Sequence, residues 1–222
     1  MKREKRYVAP ELLRELRKDG TRRTKVPHMT REELRGAAHV VLRLRRGLPS
    51  HRTPRAWRVL EGAIRASKGK VGFRVCEFSV QRDHIHLVVE ADDRWKLTRG
   101  MQGLMIRIAK RLNRLWNDRE GSVFAERYFS LAIKKYSQLR RTVIYVVNNG
   151  RKHGEWTERG EPDPFSSGRW FRHWASGEAF LRALRDAPVE PPRTYEIFAG
   201  FEVNEVPGRW SPSGDVAELL AS

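Results

Sequence analysis

Two apolar runs separated by only three polar residues limit the folds that this chain can adopt. The runs 71–80 and 84–91 each have the length of a strand, and Gln81, Arg82 and Asp83 join them. Polar residues in so short a connection are typical of a turn between antiparallel strands. The sequence therefore predicts an antiparallel hairpin in the middle of the chain.

The other periodic segments surround this hairpin in a regular order. From His39 to Arg45 apolar and polar side chains alternate, which predicts a half-buried strand with basic residues on its open side. Helical spacing of apolar residues predicts three helices, and a further run rich in β-formers predicts a fourth strand. The helices are expected at 56–69, 95–116 and 137–149, and the strand at 123–134.

This β-α-β-β-α-β-α order predicts an α+β fold. A βαββαβ arrangement gives a four-stranded antiparallel sheet of the ferredoxin-like type, here with an additional C-terminal helix. Two helices are expected to cover one face of the sheet. The other face is expected to be open and to carry the functional site.

The charge of the chain indicates a polyanionic partner. Lysine and arginine total 45 against 27 acidic residues, which gives a formal net charge of +18. Each phosphate that a Lys or Arg neutralises releases condensed counterions, so a nucleic acid is the natural ligand of such a surface. The periodic segments and the composition together divide the chain into a basic N-terminal arm (1–36), a central domain that contains the predicted strands and helices (37–155) and a C-terminal extension rich in aromatic and basic residues (156–222).

Several classes of protein are excluded by counting residues. Cys76 is the only cysteine, so neither an internal disulfide nor a cysteine-based zinc site, as in zinc deaminases, can form. No apolar run approaches the length that spans a membrane, and a cytoplasmic location is expected. The sequence lacks a P-loop, so no nucleotide cofactor is expected.

Two histidines and one tyrosine form a candidate catalytic constellation. His84 and His86 are two residues apart on a predicted strand, so both imidazoles lie on one face, a known arrangement for a divalent metal. Tyr145 and Asn149 are four apart on a predicted helix and share a face. A tyrosine, with a pKa of about 10, needs help to act as a nucleophile at neutral pH, and a metal at the attacked phosphate supplies it.

Four segments resemble the single-tyrosine HUH transposases, especially the REP-associated tyrosine transposases and related insertion-sequence transposases. The likeness extends over residues 27–154. The segments are His39-Val40-Val41-Leu42-Arg43, His84-Ile85-His86-Leu87-Val88-Val89, Val123-Phe124-Ala125-Glu126-Arg127-Tyr128 and Tyr145-Val146-Val147-Asn148-Asn149.

This resemblance implies cleavage and rejoining of single-stranded or hairpin DNA. Tyr145 would attack a DNA phosphate and leave a 5′-phosphotyrosine and a free 3′-hydroxyl. His84, His86 and Asn149 would hold the metal, and an amide oxygen as third ligand suits Mg²⁺ or Mn²⁺. A homodimer in which the tyrosine helix of one subunit serves the other stays an open alternative.

Basic residues near the predicted site are candidates for DNA contact. They lie on the first strand, on the polar face of the second helix, before the tyrosine helix and among the aromatic residues of the C-terminal extension. The candidates are Arg43, Arg45, Arg107, Arg111, Arg114, Lys134, Arg169 and Arg172.

The main alternative is a binding module with the same sheet that recognises DNA or RNA hairpins without cleaving them. An RNA-recognition sheet would carry aromatic residues on its central strands. The predicted open face instead carries His39, Arg43, His84 and His86. This pattern, together with Tyr145 and Asn149, favours catalysis over binding alone.

Overall fold

A four-stranded antiparallel sheet forms the centre of the protein. A computed structural model describes residues 36–157, 162–171 and 187–193. The strands are β1 (Gly36–Arg43), β2 (Phe73–Val80), β3 (His84–Ala91) and β4 (Phe129–Ala132), in the spatial order β2-β3-β1-β4. Every neighbouring pair is antiparallel. The predicted ferredoxin-like α+β fold is confirmed.

The helices follow the predicted order. They are α1 (Pro54–Arg65), α2 (Arg94–Leu115), α3 (Tyr136–Val147) and the short α4 (Asn149–Lys152), and a 3₁₀ helix spans Ser167–Trp170. Thr53 caps α1 by accepting a hydrogen bond from the Ala56 amide, and proline occupies the first helical position. Asp93 caps α2 in the same way, through the amides of Trp95 and Lys96. Side-chain acceptors and an N-terminal proline are favoured at these positions because the first amides of a helix have no partner within it.

The two faces of the sheet carry different layers. On one face α1 and α2 cover the main core, in which Val40, Leu42, Ile85 and Leu87 are fully or almost fully buried. The intervening residues of β1 and β3, including His39 and His86, therefore lie on the other face. The alternation predicted for β1 is confirmed.

The second face is less open than predicted. Helix α3 packs on it through Leu139, Val143, Val146 and Val147, which form a separate apolar cluster with Ala37, Cys76, Val88 and Phe171. The apolar stripe of α3 is the physical reason, because a helix with four buried aliphatic residues needs an apolar surface. The expected open face is thus partly covered by the helix that carries Tyr145.

The fourth strand is much shorter than the predicted segment 123–134. Leu44 bridges Phe124 and Val41 pairs with Phe129, so the four residues 125–128 lie opposite only two residues of β1. Extra residues on one strand interrupt the hydrogen-bonded ladder, as in a β-bulge. Regular pairing therefore resumes only at Phe129.

The tyrosine helix also ends earlier than predicted. The backbone of Asn148 (φ −102°, ψ 8°) leaves the helical region, and Asn149 begins α4 rather than ending α3. Gly150 follows, and a Cβ at that position would overlap the Asp163 carboxylate. The chain therefore changes direction at Asn148 and packs closely against the segment around Asp163.

Two predicted segments lie mainly outside the described residues. They are the basic arm (1–36), of which the structure describes only Gly36, and most of the C-terminal extension (156–222). The domain division stays a prediction. Across the described ranges, no helix combines the length and the apolarity needed to cross a membrane.

Gly100 and Gly103 give a test of packing between α2 and the sheet. A Cβ at Gly100 would overlap the Phe73 ring, whereas one at Gly103 would meet nothing within 4 Å. We expect Gly100→Ala to lower the free energy of unfolding by about 1–3 kcal/mol through overpacking. Gly103→Ala on the same helix should raise it by up to about 1 kcal/mol. Urea unfolding of both variants measures this, and equal stabilities would contradict the packing described.

The buried His51 predicts a loss of stability in mild acid. Its imidazole lies edge-on to Trp116, and burial lowers its pKa to about 4, although a backbone hydrogen bond involving Arg82 opposes the shift. Below pH 6.5 His51 takes up a proton in the unfolded chain but not in the folded protein, so protonation favours unfolding. The free energy of unfolding is therefore unaffected by His51 near pH 7 and falls as the pH drops from 6.5 towards 4. Between pH 7 and 5 we expect the unfolding free energy of His51→Gln to fall by about 2 kcal/mol less than that of the wild type. Equal losses in the two proteins would show that His51 is not buried in its neutral form.

Candidate active site

Histidine rings from two neighbouring strands meet on the face of the sheet that α3 partly covers. Val41 of β1 pairs with His86 of β3, and Arg43 pairs with His84. The His39 and His86 rings stack with centroids 5.1 Å apart, and the His84 and His86 rings meet edge to face at 4.7 Å. The shared face predicted for His84 and His86 is therefore present, and His39 joins them.

Tyr145 of α3 completes this cluster of aromatic rings. Its ring centroid lies 5.2 Å from that of His86 and 6.0 Å from that of His39. The neighbours of Tyr145 on α3, Val143, Val146 and Val147, are buried against the sheet and fix the position of the helix. Tyr145, the candidate nucleophile of the sequence analysis, lies directly beside the predicted histidine pair.

The segment after α3 brings two more side chains to the cluster. The Lys152 Nζ lies 4.7 Å from the centroid of the Tyr145 ring, and the His153 ring lies 5.4 Å from that of His84. Lys152 and His153 are both exposed. One side of the cluster is therefore accessible to solvent and carries a positive charge beside the tyrosine.

Each of the paired histidines has one ring nitrogen occupied by a protein partner. The His84 Nδ1 lies 2.6 Å from the Asp83 Oδ1, and the His86 Nδ1 lies 3.0 Å from the His39 Nε2. The Nε2 of His86 is buried and, within the described part of the chain, has no hydrogen-bond partner. In both rings the occupied atom is Nδ1, so the Nε2 atoms are the candidates for binding a ligand.

Burial keeps His39 and His86, the inner histidines of the cluster, neutral at physiological pH. It lowers the pKa of His39 to about 4 and that of His86 to about 2, and for His86 the nearby His39, His84, His153 and Lys152 lower it further. Burial, followed by the charge of His84, also lowers the pKa of His153. A neutral imidazole keeps a lone pair on one nitrogen, which is the form that binds metals.

Asn149 has a buried amide and lies, in sequence, midway between two residues of the cluster. It is fully buried, and neither its Oδ1 nor its Nδ2 has a hydrogen-bond partner among the described residues. It lies four residues after Tyr145 and four before His153, and both of these contact histidine rings of the cluster. A buried amide without hydrogen-bond partners lowers the free energy of unfolding, and a bound ligand would satisfy it.

The donor atoms of these side chains are of types that can bind a divalent cation. In the described ranges no three His, Cys, Asp or Glu side chains form a group that could hold a metal ion. A cation here would therefore take two imidazole nitrogens, from His84 and His86, and complete its shell with oxygens. The Asn149 amide can supply one oxygen, and phosphate or water can supply others. Such a mixed nitrogen and oxygen set suits Mn²⁺ and accommodates Mg²⁺.

A buried ion cluster holds the segment that contains Asn149. The Arg52 guanidinium donates two hydrogen bonds of 3.0 Å to the Asp163 carboxylate, one of 3.1 Å to the Glu155 carbonyl and one of 2.7 Å to the Val80 carbonyl. The Arg52 and Asp163 side chains are only 10% and 1% exposed. Because Gly150 packs directly against Asp163, this cluster fixes the chain immediately after Asn149.

The predicted DNA-binding residues lie in several different parts of the protein. Arg43, beside His84, is exposed at the end of β1, and Arg45 is exposed two residues later. Lys134 and Arg169 are exposed elsewhere on the surface. Arg43 forms a 3.7 Å ion pair with Glu126. Arg107, Arg111 and Arg114 belong to α2, on the opposite side of the sheet from the histidines. Arg172 lies outside the described residues.

Sequence reasoning did not assign a role to four residues of the site. His39 was predicted to lie on the same face as His86, and this alternation was the available signal. Lys152 and His153 lie beyond the predicted end of the tyrosine helix, where periodicity gives no information. Arg52 could not be identified, because its partners are separated from it by up to 111 positions in the sequence.

Arg52 gives a test of the buried ion cluster. Removing one partner of a buried ion pair leaves the other charge uncompensated, so Arg52→Met should lower the free energy of unfolding by about 3–5 kcal/mol. Arg65→Met is the matched control, because Arg65 pairs with Glu61 one helical turn away at a more exposed position. That change should cost no more than about 1 kcal/mol. Similar losses of unfolding free energy in the two variants, measured by urea unfolding, would contradict a stabilising role of the buried Arg52 ion pair.

Comparison with known proteins assigns a family to this arrangement. The family described as "Transposase IS200 like" matches residues 36–149, from the first residue of β1 to Asn149. A solved structure described as the "REP associates tyrosine transposase bound to a REP hairpin" is similar at 20% identity and a TM-score of 0.47, over 60% of this chain and 76% of that chain. A search among curated proteins gives no match. Because the family match covers more than half of the 222 residues, the chain belongs to the IS200-like transposases.

Proposed function

We propose that the protein cleaves and rejoins single-stranded DNA, with Tyr145 as the nucleophile and a divalent metal as cofactor. The observation that carries this proposal is the contact between the Tyr145 and His86 rings, whose centroids are 5.2 Å apart. A hydroxyl nucleophile and a pair of metal-type ligands come from different elements, α3 and β3, and meet on one face. Membership of a transposase family supports the same chemistry.

In the proposed reaction the Tyr145 oxygen forms a bond to a DNA phosphorus, and the bond from that phosphorus to the 3′-oxygen breaks. The tyrosine gives up its hydroxyl proton, and the departing 3′-oxygen takes up a proton. The products are a 5′-phosphotyrosine and a free 3′-hydroxyl. One phosphodiester is exchanged for another, so a 3′-hydroxyl can reverse the step and rejoin DNA without a nucleotide cofactor.

The residues proposed to hold the metal are His84, His86 and Asn149. Their support is the occupied Nδ1 atoms of the two histidines, the neutral state of His86 and the unpartnered amide of Asn149. A bound Mg²⁺ or Mn²⁺ supplies a Lewis acid that polarises the attacked phosphate. The chain itself orients the tyrosine through the packing of α3 and buries the His86 ring.

Positive side chains around the cluster are proposed to hold the DNA backbone. Lys152, beside the Tyr145 ring, would place its charge near the attacked phosphate. Arg43 pairs with His84 at the end of β1, and Arg45 follows two residues later. The exposed ion pair of Arg43 with Glu126 is weak enough to exchange for a phosphate. Lys134, Arg169 and Arg172 stay candidates for more distant contacts.

Arg107, Arg111 and Arg114 would contact DNA only if it also reached the far side of the sheet. Their position on α2 separates them from the strand that enters the histidine cluster. We therefore assign them no role in cleavage. A homodimer stays a prediction, as does the choice between Mg²⁺ and Mn²⁺.

Covalent capture of DNA tests the proposed reaction. The full-length protein is incubated with hairpin oligonucleotides from the flanks of its own coding sequence, with Mg²⁺ or Mn²⁺. An oligonucleotide labelled at its 3′ end should migrate with the protein in a denaturing gel, and one labelled at its 5′ end should yield a shorter free fragment. Tyr145→Phe should abolish both products and bind the DNA with an unchanged Kd, because only a hydroxyl is lost.

Tyr128→Phe is the matched control, since Tyr128 is a partly buried tyrosine that packs against the main core. It should form the adduct as the wild type does. Adduct formation by Tyr145→Phe would overturn the assignment of the nucleophile. Binding of hairpins with no adduct from the wild-type protein, in either metal, would instead favour a binding module that does not cleave.

A further inference from the structure

We propose that His39 is a positioning residue that holds the ring of His86 with its Nε2 directed to the metal. This inference rests on the proposed function, since it assigns a role to a neighbour of a proposed metal ligand. Neither the His-x-His pair nor the tyrosine helix includes His39. It comes from β1, the strand next to β3.

The register of the sheet makes this contact possible. His39 pairs with Val88, so His86 is its diagonal neighbour on the same face. Diagonal neighbours on antiparallel strands are within reach of large rings. The two rings stack with an interplanar angle of 22°, and the His39 Nε2 lies 3.0 Å from the His86 Nδ1.

The direction of this hydrogen bond decides the tautomer of His86, and the proposed role requires that the His39 Nε2 accepts. A neutral imidazole carries one proton, and the nitrogen without the proton is the one that binds a metal. If the His39 Nε2 accepts, the His86 proton must lie on Nδ1, and the lone pair of His86 then lies on Nε2. This Nε2 is the buried atom that has no hydrogen-bond partner in the described ranges.

The other proposed ligand has a partner of a different type at the equivalent atom. Asp83, an exposed carboxylate, contacts the Nδ1 of His84, and this hydrogen bond lowers the pKa of Asp83. His86 lies deeper in the structure and is 5% exposed. A carboxylate at the place of His39 would be a charge in a largely dry environment, whereas a neutral imidazole accepts the same hydrogen bond at a lower desolvation cost.

Three variants separate the hydrogen bond from the packing of the ring. His39→Phe keeps a stacking ring but lacks the acceptor, whereas His39→Gln lacks the ring and keeps an acceptor. His39→Ala removes both. Partners of this type typically contribute about 10- to 100-fold to metal affinity. We expect His39→Phe and His39→Ala to weaken Mn²⁺ binding by about that factor, and His39→Gln to weaken it by less than the other two.

The experiment uses full-length protein and two measurements. Titration with Mn²⁺, followed by electron paramagnetic resonance of the free ion, gives the affinity. Long-range ¹H–¹⁵N correlation spectra of the metal-free protein at pH 7.5 give the tautomer of His86. The wild type and His39→Gln should carry the proton on Nδ1, whereas His39→Phe should show the Nε2 tautomer or a mixture.

Two results would overturn the role of His39. One is wild-type Mn²⁺ affinity in His39→Phe, and the other is an unchanged Nδ1 tautomer of His86 in that variant. A wild-type protein that binds no Mn²⁺ would count against the proposed metal site itself. In that case the tautomer measurement still decides whether His39 orients His86, so the two failures can be told apart.

Discussion

The packing of α3 against the second face of the sheet is the interaction on which the candidate site depends. Val143, Val146 and Val147 are buried against Ala37, Cys76 and Val88, and Tyr145 lies among these positions on the helix. Burial of each aliphatic side chain contributes roughly 1.5–3 kcal/mol, so this contact is strong enough to define where the helix lies. The position of the tyrosine relative to the histidines follows from apolar packing rather than from polar contacts of its own.

The polar part of the site is supported from three directions. Asp83 contacts His84 within β3 and the preceding turn, and His39 contacts His86 from β1. Arg52 holds the segment after Asn149 through its ion pair with Asp163. Each support lies on an element that the main core already fixes, or next to one. These contacts orient His84 and His86 and fix the segment after Asn149 in the absence of a ligand. Groups that are already oriented can stabilise a transition state without a further cost of reorganisation.

Periodicity predicted what depends on local sequence. The two-residue repeat of β3 places His84 and His86 on one face, and the apolar pattern gave the order of strands and helices. It could not predict the extra residues at 125–128, because a bulge depends on how two distant segments pair. The end of α3 at Asn148 was missed for a similar reason, since Gly150 and Asp163 meet only in the fold. Arg52 shows the same limit, because a buried arginine has no periodic signature.

The most direct test of the central claim, that His84, His86, Asn149 and Tyr145 form one site, is anomalous diffraction from crystals of the Tyr145→Phe variant with Mn²⁺ and an uncleaved DNA hairpin. The account predicts a manganese peak within bonding distance of the Nε2 atoms of both histidines and the Oδ1 of Asn149. A DNA phosphate should lie between the metal and the ring at position 145. Manganese bound away from these three side chains, or a phosphate out of reach of that ring, would contradict it.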